Sequence, residues 1–379
     1  MAGLLFTLVL RLKEHILKIR VLIPLLPEMK QQFSKILKDI QKKSLLVPRP
    51  LTFMELCGTH SQTVARYGIK NILPGNIKLV AGPGCPVCVT EQRDIDSVAG
   101  LALAGIPVVT YGDTLKILGT LISLEKARAG GADVSVAYDV NEALKLKSKK
   151  PNLVFFGIGF ETTAPMSAWA IKKGLTVYSS HKKFFSAMKA LLENRKIKID
   201  GFINPGHVSA ITGTRIYEKL NVPQVVAGFE AIDVLRAISM LLDQILAGKY
   251  SVQNEYERVV RKNGNSRARK IIEEVFETAD ANWRGLGKIR NSGLVIKKKY
   301  EKQNAEYVYE DLLKKIRRKI IRKPTACKCG EILQGIRGPK DCPLFAKVCG
   351  PENPKGPCMV SVEGACNIEY KYGHAKQEK

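Results

Sequence analysis

Nine cysteines carry most of the reactive chemistry in this chain, and they fall into three groups. The first group is Cys57 alone, in Glu55-Leu56-Cys57-Gly58-Thr59-His60. A cysteine and a histidine three residues apart can face one point on a turn. There an imidazole can deprotonate the thiol or share a metal with it. The second group is the pair Cys85 and Cys88 in Gly82-Pro83-Gly84-Cys85-Pro86-Val87-Cys88, where a strand should hand over to a helix. Thiols at a helix N-terminus meet free N–H groups and the positive end of the dipole, which favours thiolate. The two-residue gap lets them close a disulfide or pinch one metal ion. The third group is the tail: Cys327, Cys329, Cys342, Cys349, Cys358 and Cys366. Taking Cys327, Cys342, Cys349 and Cys366 leaves gaps of fourteen, six and sixteen residues. Those gaps exceed zinc-finger spacings and differ from compact ferredoxin runs. Spacing does not choose four ligands from six, and it leaves zinc open beside iron–sulfur. A four-thiolate cluster with a spare thiol pair is one economical count.

Two further stretches have the composition of ligand-binding turns. Gly157-Ile158-Gly159-Phe160-Glu161-Thr162-Thr163-Ala164-Pro165 presents a carboxylate and two hydroxyls after a strand. Asn204-Pro205-Gly206-His207-Val208-Ser209 does the same later in the chain. Open α/β sheets bind ligands at such strand ends. An ordinary turn with a helix cap is the plainer reading of each. No dinucleotide fingerprint and no Walker-type phosphate loop occurs.

The elements that must position these residues alternate. Short apolar runs at 77–81, 107–111, 134–138, 153–158, 176–178, 201–203 and 225–227 read as buried strands. Helical spacing fills the gaps at 91–104, 114–128, 164–172, 184–193 and 231–246. Continuous apolar strands separated by helices predict parallel sheets covered on both faces. The reading is therefore an α/β protein with two domains, each with a central parallel β-sheet flanked by helices. A mostly helical, Cys-rich C-terminal domain follows, with helices predicted over 267–278 and 307–321. The boundaries are set at 1–49 (N-terminal helical extension), 50–148, 149–250 and 251–379, with Lys147–Pro151 as the linker between the sheets. The Cys-, Gly- and Pro-rich tail buries little apolar area, so a metal centre is expected to fix it.

The formal net charge is +26 over 379 residues, densest at Lys297–Lys299 and Lys314–Lys323. The mixed basic and apolar order around Lys314 predicts a solvated helix face. Without a recognised module or an aromatic stacking platform, nucleic acid is not an expected partner. The clustered cysteines are unlike a secreted disulfide framework. Residues 1–28 lack a signal-peptide layout, and their apolar runs at 1–10 and 21–27 are too short to span a bilayer, so a cytoplasmic protein without a membrane partner is expected.

Taken together, these motifs resemble the hydrogenase maturation family HypD. The resemblance covers about residues 50 to 370. It rests on Cys57-Gly58-Thr59-His60, on Gly82 through Cys88, on Gly159-Phe160-Glu161-Thr162-Thr163, on Pro205-Gly206-His207-Val208-Ser209, and on the tail from Cys327 through Gly356-Pro357-Cys358 to Glu363-Gly364-Ala365-Cys366. It implies two α/β domains and a third domain holding a [4Fe-4S] cluster. It further implies a scaffold that assembles the Fe(CN)2CO centre of [NiFe] hydrogenases with a HypC-type chaperone and a HypE-type cyanide donor. By motif, Cys327, Cys342, Cys349 and Cys366 would hold the cluster. Cys329 and Cys358 would be a redox-active pair, and Cys85 and Cys88 a second pair near the assembly site. Cys57 would bind the transient iron with its CN and CO ligands, with His60 beside it, and Glu161 belongs to the candidate catalytic set. Two departures from the family pattern stand out. Ser61-Gln62 follows His60 where many members carry a second histidine, and the segment before Met29 is additional. The rival reading is a stand-alone iron–sulfur thiol–disulfide reductase.

Overall fold

The computed structural model describes residues 27–120, 122–320 and 325–373. In chain order the strands are β1 (Leu51–Glu55), β2 (Ile77–Ala81), β3 (Val108–Thr110) and β4 (Val134–Val136). Next come β5 (Val154–Gly159), β6 (Thr176–His181), β7 (Gly201–Pro205) and β8 (Gln224–Ala227). Last are β9 (Val252–Asn254), β10 (Phe276–Trp283) and β11 (Gly287–Ile296). The first sheet has the order β2-β1-β7-β8-β9 and the second β4-β3-β5-β6. Every pairing within the two is parallel. All six residues of β5 are buried, as a strand covered by helices on both faces requires.

The two parallel sheets were legible in the sequence, but the division between them was not. No sheet boundary lies at 148/149. The first sheet takes its strands from 51–81 and 201–254, and the second takes 108–181. Lys147–Pro151 is an ordinary helix-to-strand connection inside the second unit, because the helix Val140–Lys149 leads directly into β5. Apolar runs report that a strand is buried, not which strand it lies beside.

The helix Pro27–Leu45 is likewise not an extension. Its Phe33, Leu37 and Ile40 form one buried stripe against Leu235, Ile238 and Leu242 of the helix Ala231–Ala247, in the core beneath β1 and β8. Lys43 Nζ fastens the pair, reaching Ser239 Oγ at 2.7 Å and Asp243 at 2.8 Å. The part of the sequence reading that concerns residues 1–26 lies outside the described residues.

Some predicted helices break. The run 114–128 is a short 3-10 turn at Gly112–Thr114 and a separate helix Leu124–Ala129. Between them Asp96 reaches in and accepts the Thr120 N–H at 2.5 Å, and a side chain at Gly119 would strike that carboxylate. The run 267–278 is helical only over Ser266–Val275 and then becomes β10. β10 and β11 form a separate antiparallel hairpin that meets the chain just after β6 through an isolated Lys182–Gly293 bridge and a Lys183 N–H to Ser292 O bond of 2.7 Å. The region after residue 250 is therefore not simply helical. The basic segment near Lys314 is the helix Glu310–Arg318, with Lys314 paired to Glu310 on its solvated side. Arg317 is the exception, turned inward to Ser97 Oγ and Tyr178 Oη. The predicted helix 307–321 is interrupted at Tyr309 and ends at Arg318; Ile321 and the end of the basic run lie outside the described residues.

Short helices at Cys329–Leu333, Pro357–Val360 and Ala365–Gly373 carry the Cys-rich tail. The tail is folded back on the first unit, and its cysteines share one apolar core with residues of both sheets. Among the described residues no helix is long and apolar enough to cross a membrane.

Candidate functional site

The order β2-β1-β7 places a crevice above β1. From β1 the chain steps to β2 on one side and returns much later as β7 on the other. Such a reversal opens a gap between the loops at the carboxyl ends of the strands. Three motifs leave these neighbouring strands at that edge: Cys57 after β1, Gly82–Cys88 after β2, and Gly206-His207 after β7.

Cys57 is the extended residue that opens the helix Gly58–Arg66. The backbone N–H groups of His60 and Thr59, at this helix N-terminus, favour its thiolate. Burial nevertheless dominates and pushes the thiol up to about 12, with Glu363 adding to the rise. The free thiol is therefore neutral near pH 7. His207 Nδ1 lies 3.9 Å from Cys57 Sγ. The His60 side chain goes elsewhere: its Nε2 pairs with the Gly228 carbonyl at 2.8 Å. Phe229 packs against both imidazoles, at 5.1 Å from His60 and 5.4 Å from His207. Burial lowers both histidines to about 4, so both are neutral near pH 7. The imidazole facing the thiol is thus His207, which the sequence reading quoted in a motif without assigning it to Cys57. The signal was its place two residues beyond the end of a strand.

Gly84 explains why the second thiol group lies here. A side chain at this position would meet the Leu56 carbonyl and the Cys57 Cα, so only glycine lets the loop pass against Cys57. Cys85 and Cys88 form a disulfide at the start of the helix Pro86–Val89. Cys88 Sγ in turn lies 3.8 Å from the Pro357 carbonyl, next to Cys358.

The tail closes the crevice from the other side. Thr59 Oγ1 donates to Glu363 Oε1 at 2.9 Å, and Gly58 is pressed against the Glu363 backbone. Glu363 is a second residue that the sequence reading left without a role. Behind it, Cys329 accepts hydrogen bonds from the Cys327 and Cys358 thiols, which hold it well below the usual thiol range. Cys329 and Cys366 in turn push the Cys358 thiol well above the usual range.

Cys342, Cys349 and Cys366 are buried and Cys327 is half-buried. The loop between Cys342 and Cys349 turns tightly through Ala346 at φ 55°, and the Lys355 N–H donates to Cys349 Sγ at 3.3 Å. Gly356 leaves room for Cys327 Sγ that a Cβ would fill. A soft all-thiol donor set with a backbone N–H aimed at sulfur suits an iron–sulfur cluster. Among the described residues no three His, Cys, Asp or Glu side chains are grouped so that they could hold a metal ion.

Glu161 is placed away from this group. Both its oxygens face the Phe184 N–H at 3.2 Å, and it lines a separate basic pocket. Burial raises its carboxyl to about 7. Gly159, at φ 131°, is needed for the turn before it, where Thr163 Oγ1 donates to the Ile158 carbonyl at 2.9 Å.

Residues 30–373 match the family described as HypD, hydrogenase formation hypA family. The chain belongs to the HypD family. It is 41% identical over 346 residues to the hydrogenase maturation factor HypD of Cupriavidus necator, covering 86% of this chain and 90% of that protein. It is 38% identical over 366 residues to HypD of Rhizobium leguminosarum bv. viciae, covering 90% and 94%. HypD of Azotobacter vinelandii is 40% identical over 350 residues, covering 87% and 91%. Membership makes the protein a hydrogenase maturation factor. The matched span begins inside the helix Pro27–Leu45, so that helix belongs to the family fold.

Proposed function

We propose that the crevice above β1 holds an iron fragment carrying cyanide and carbon monoxide while the Fe(CN)2CO centre of a [NiFe] hydrogenase is built. The observation that carries this reading is the convergence of Cys57, His207, the Cys85–Cys88 pair and the Glu363 loop from four separate parts of the chain. Low-valent iron with cyanide ligands is soft and prefers thiolate. Cys57 supplies that ligand, and binding displaces its proton, because only the thiolate coordinates. Neutral His207 faces that sulfur from 3.9 Å. The N–H groups of Thr59 and His60 at the helix start then favour the bound thiolate.

The thiol pairs are suited to electron chemistry. Opening the Cys85–Cys88 disulfide takes two electrons and two protons and leaves two thiols beside Cys57. Cys329 and Cys358 form the second pair, behind Pro357. Cys327, Cys342, Cys349 and Cys366 would hold a [4Fe-4S] cluster, which when bound supplies single electrons. A HypC-type chaperone and a HypE-type cyanide donor are the partners in this reading.

Replacing Cys57 by Ala tests the assignment. The purified variant should lose the infrared cyanide bands while keeping the visible iron–sulfur absorbance. Cyanide bands that persist on Cys57→Ala would remove Cys57 as the iron ligand.

A further inference from the structure

We propose that the pocket containing Glu161 binds a small, multiply charged phosphate ester with an apolar body. The pocket encloses about 770 Å3, within the range of small-molecule sites. It lies between the helix Gly206–Thr212, which follows β7 of the first sheet, the start of the helix Ser266–Val275, and the β10–β11 hairpin. Glu161, beyond the end of β5, brings the second sheet to the same cavity.

Its charge is one-sided. Lys183, Arg215, Lys219, Lys262 and Arg269 line it, against only Glu161 and Glu273. Lys183 donates to the Thr278 hydroxyl at 3.2 Å, and Lys262 pairs with Glu218 at 3.3 Å. Among the described residues Arg215, Lys219 and Arg269 have no carboxylate partner. Arg269 Nε is buried with no acceptor, a costly state for a charged donor unless a ligand supplies one. Glu161 offsets little of this charge, since its oxygens face the Phe184 N–H and its carboxyl is raised to about 7.

The cationic rim is also preorganised. Gly213 (φ 79°) and Gly264 (φ 63°) are packed so closely that a Cβ on either would strike the backbone of the other. The N–H groups of Thr214 and Arg215 both donate to the Lys262 carbonyl, at 3.1 and 3.2 Å, and the Asn265 N–H donates to the Ile211 carbonyl at 3.1 Å. The loops carrying Arg215 and Lys262 are thereby tied together before any ligand arrives, which lowers the ordering cost of binding. Two guanidinium forks match a tetrahedral oxyanion better than lysines alone do. Ile272, Phe276 and Leu294 form an apolar wall opposite, which bare phosphate would leave unused. The fit is to a phosphorylated organic molecule, and it stands independently of the iron chemistry at Cys57.

Isothermal titration of the full chain at low salt, with adenosine diphosphate, pyrophosphate and citrate as probes, tests this. Adenosine diphosphate should bind most tightly, pyrophosphate more weakly and citrate weakest. Arg269→Gln and Arg215→Gln should each weaken binding about tenfold or more, as expected for a lost hydrogen bond to a charged group. Lys145→Ala, on the exposed side of the helix Val140–Lys149, should leave it unchanged. Should Arg269→Gln fail to fold, Lys219→Glu on the exposed rim must still abolish the signal. The proposal is overturned if no probe binds, if citrate equals the phosphates, or if Lys145→Ala weakens binding as much as Arg269→Gln does.

Discussion

Replacing Glu55 by Gln should change the pH profile of stability more than its level. Glu55 ends β1, two residues before Cys57, and is almost completely buried. Ser61 Oγ donates to its Oε2 at 2.5 Å, while Oε1 has no partner. Burial raises the carboxyl from 4.5 to about 8, against smaller opposing pulls from Lys70 and Ser61. The folded protein therefore keeps a proton there that the unfolded chain releases above pH 4.5. Stability from this group is full below pH 4.5 and is lost as pH rises toward 8, at somewhat over 1 kcal/mol per pH unit. Over the whole window that is roughly 3–5 kcal/mol. Gln keeps the acceptor for Ser61 and cannot ionise. The wild type should thus lose ground to Glu55→Gln by several degrees of Tm between pH 5 and pH 8, on the order of the energy above. Thermal unfolding across that range, on anaerobic protein, measures it. Parallel profiles for the two proteins would show that Glu55 is not held protonated, and the burial argument would fail.

Other consequences follow from particular contacts. Gly58→Ala should drive the start of the Cys57 helix away from the Glu363 backbone, costing about 1–3 kcal/mol in denaturant titration and weakening cyanide bands. Trp283→Phe should cost about 1–2 kcal/mol through the lost Nε1–H bond to Ser292 Oγ, read by urea unfolding. Arg317→Met should cost about 3 kcal/mol or more, because Glu306 and Tyr178 lose a half-buried partner, again by urea unfolding. Iodoacetamide should modify Cys57 in the iron-free protein far more slowly than it modifies an exposed thiol at pH 8, since burial holds the thiol neutral; mass spectrometry reports the rate.

Local signals in the sequence translated well into local structure. Ile77–Ala81, Ala164–Lys172 and Phe184–Glu193 appear with the bounds their apolar spacing predicts. The interleaving of the two sheets did not appear, because burial of β1 would be satisfied equally by a neighbour at 108 or at 201. The β10–β11 hairpin escaped notice since only Phe276 and Trp283, at the ends of β10, are buried, so no alternation shows between them. The helix Pro27–Leu45 read as an extension because the residues that share a core with Phe33, Leu37 and Ile40 come some two hundred residues later. At the site, the thiols were visible as residue types. The pairing of Cys57 with His207 instead of the His60 side chain was not, because it depends on β7 lying beside β1.

Infrared spectroscopy of the anaerobically purified chain, isolated with its HypC-type partner, tests the central claim most directly. The account predicts cyanide and carbonyl stretches from one iron fragment, with the cyanide bands moving when isotopically labelled cyanide precursor is supplied and vanishing in Cys57→Ala. A complex that forms with the partner yet shows no cyanide or carbonyl band would contradict it.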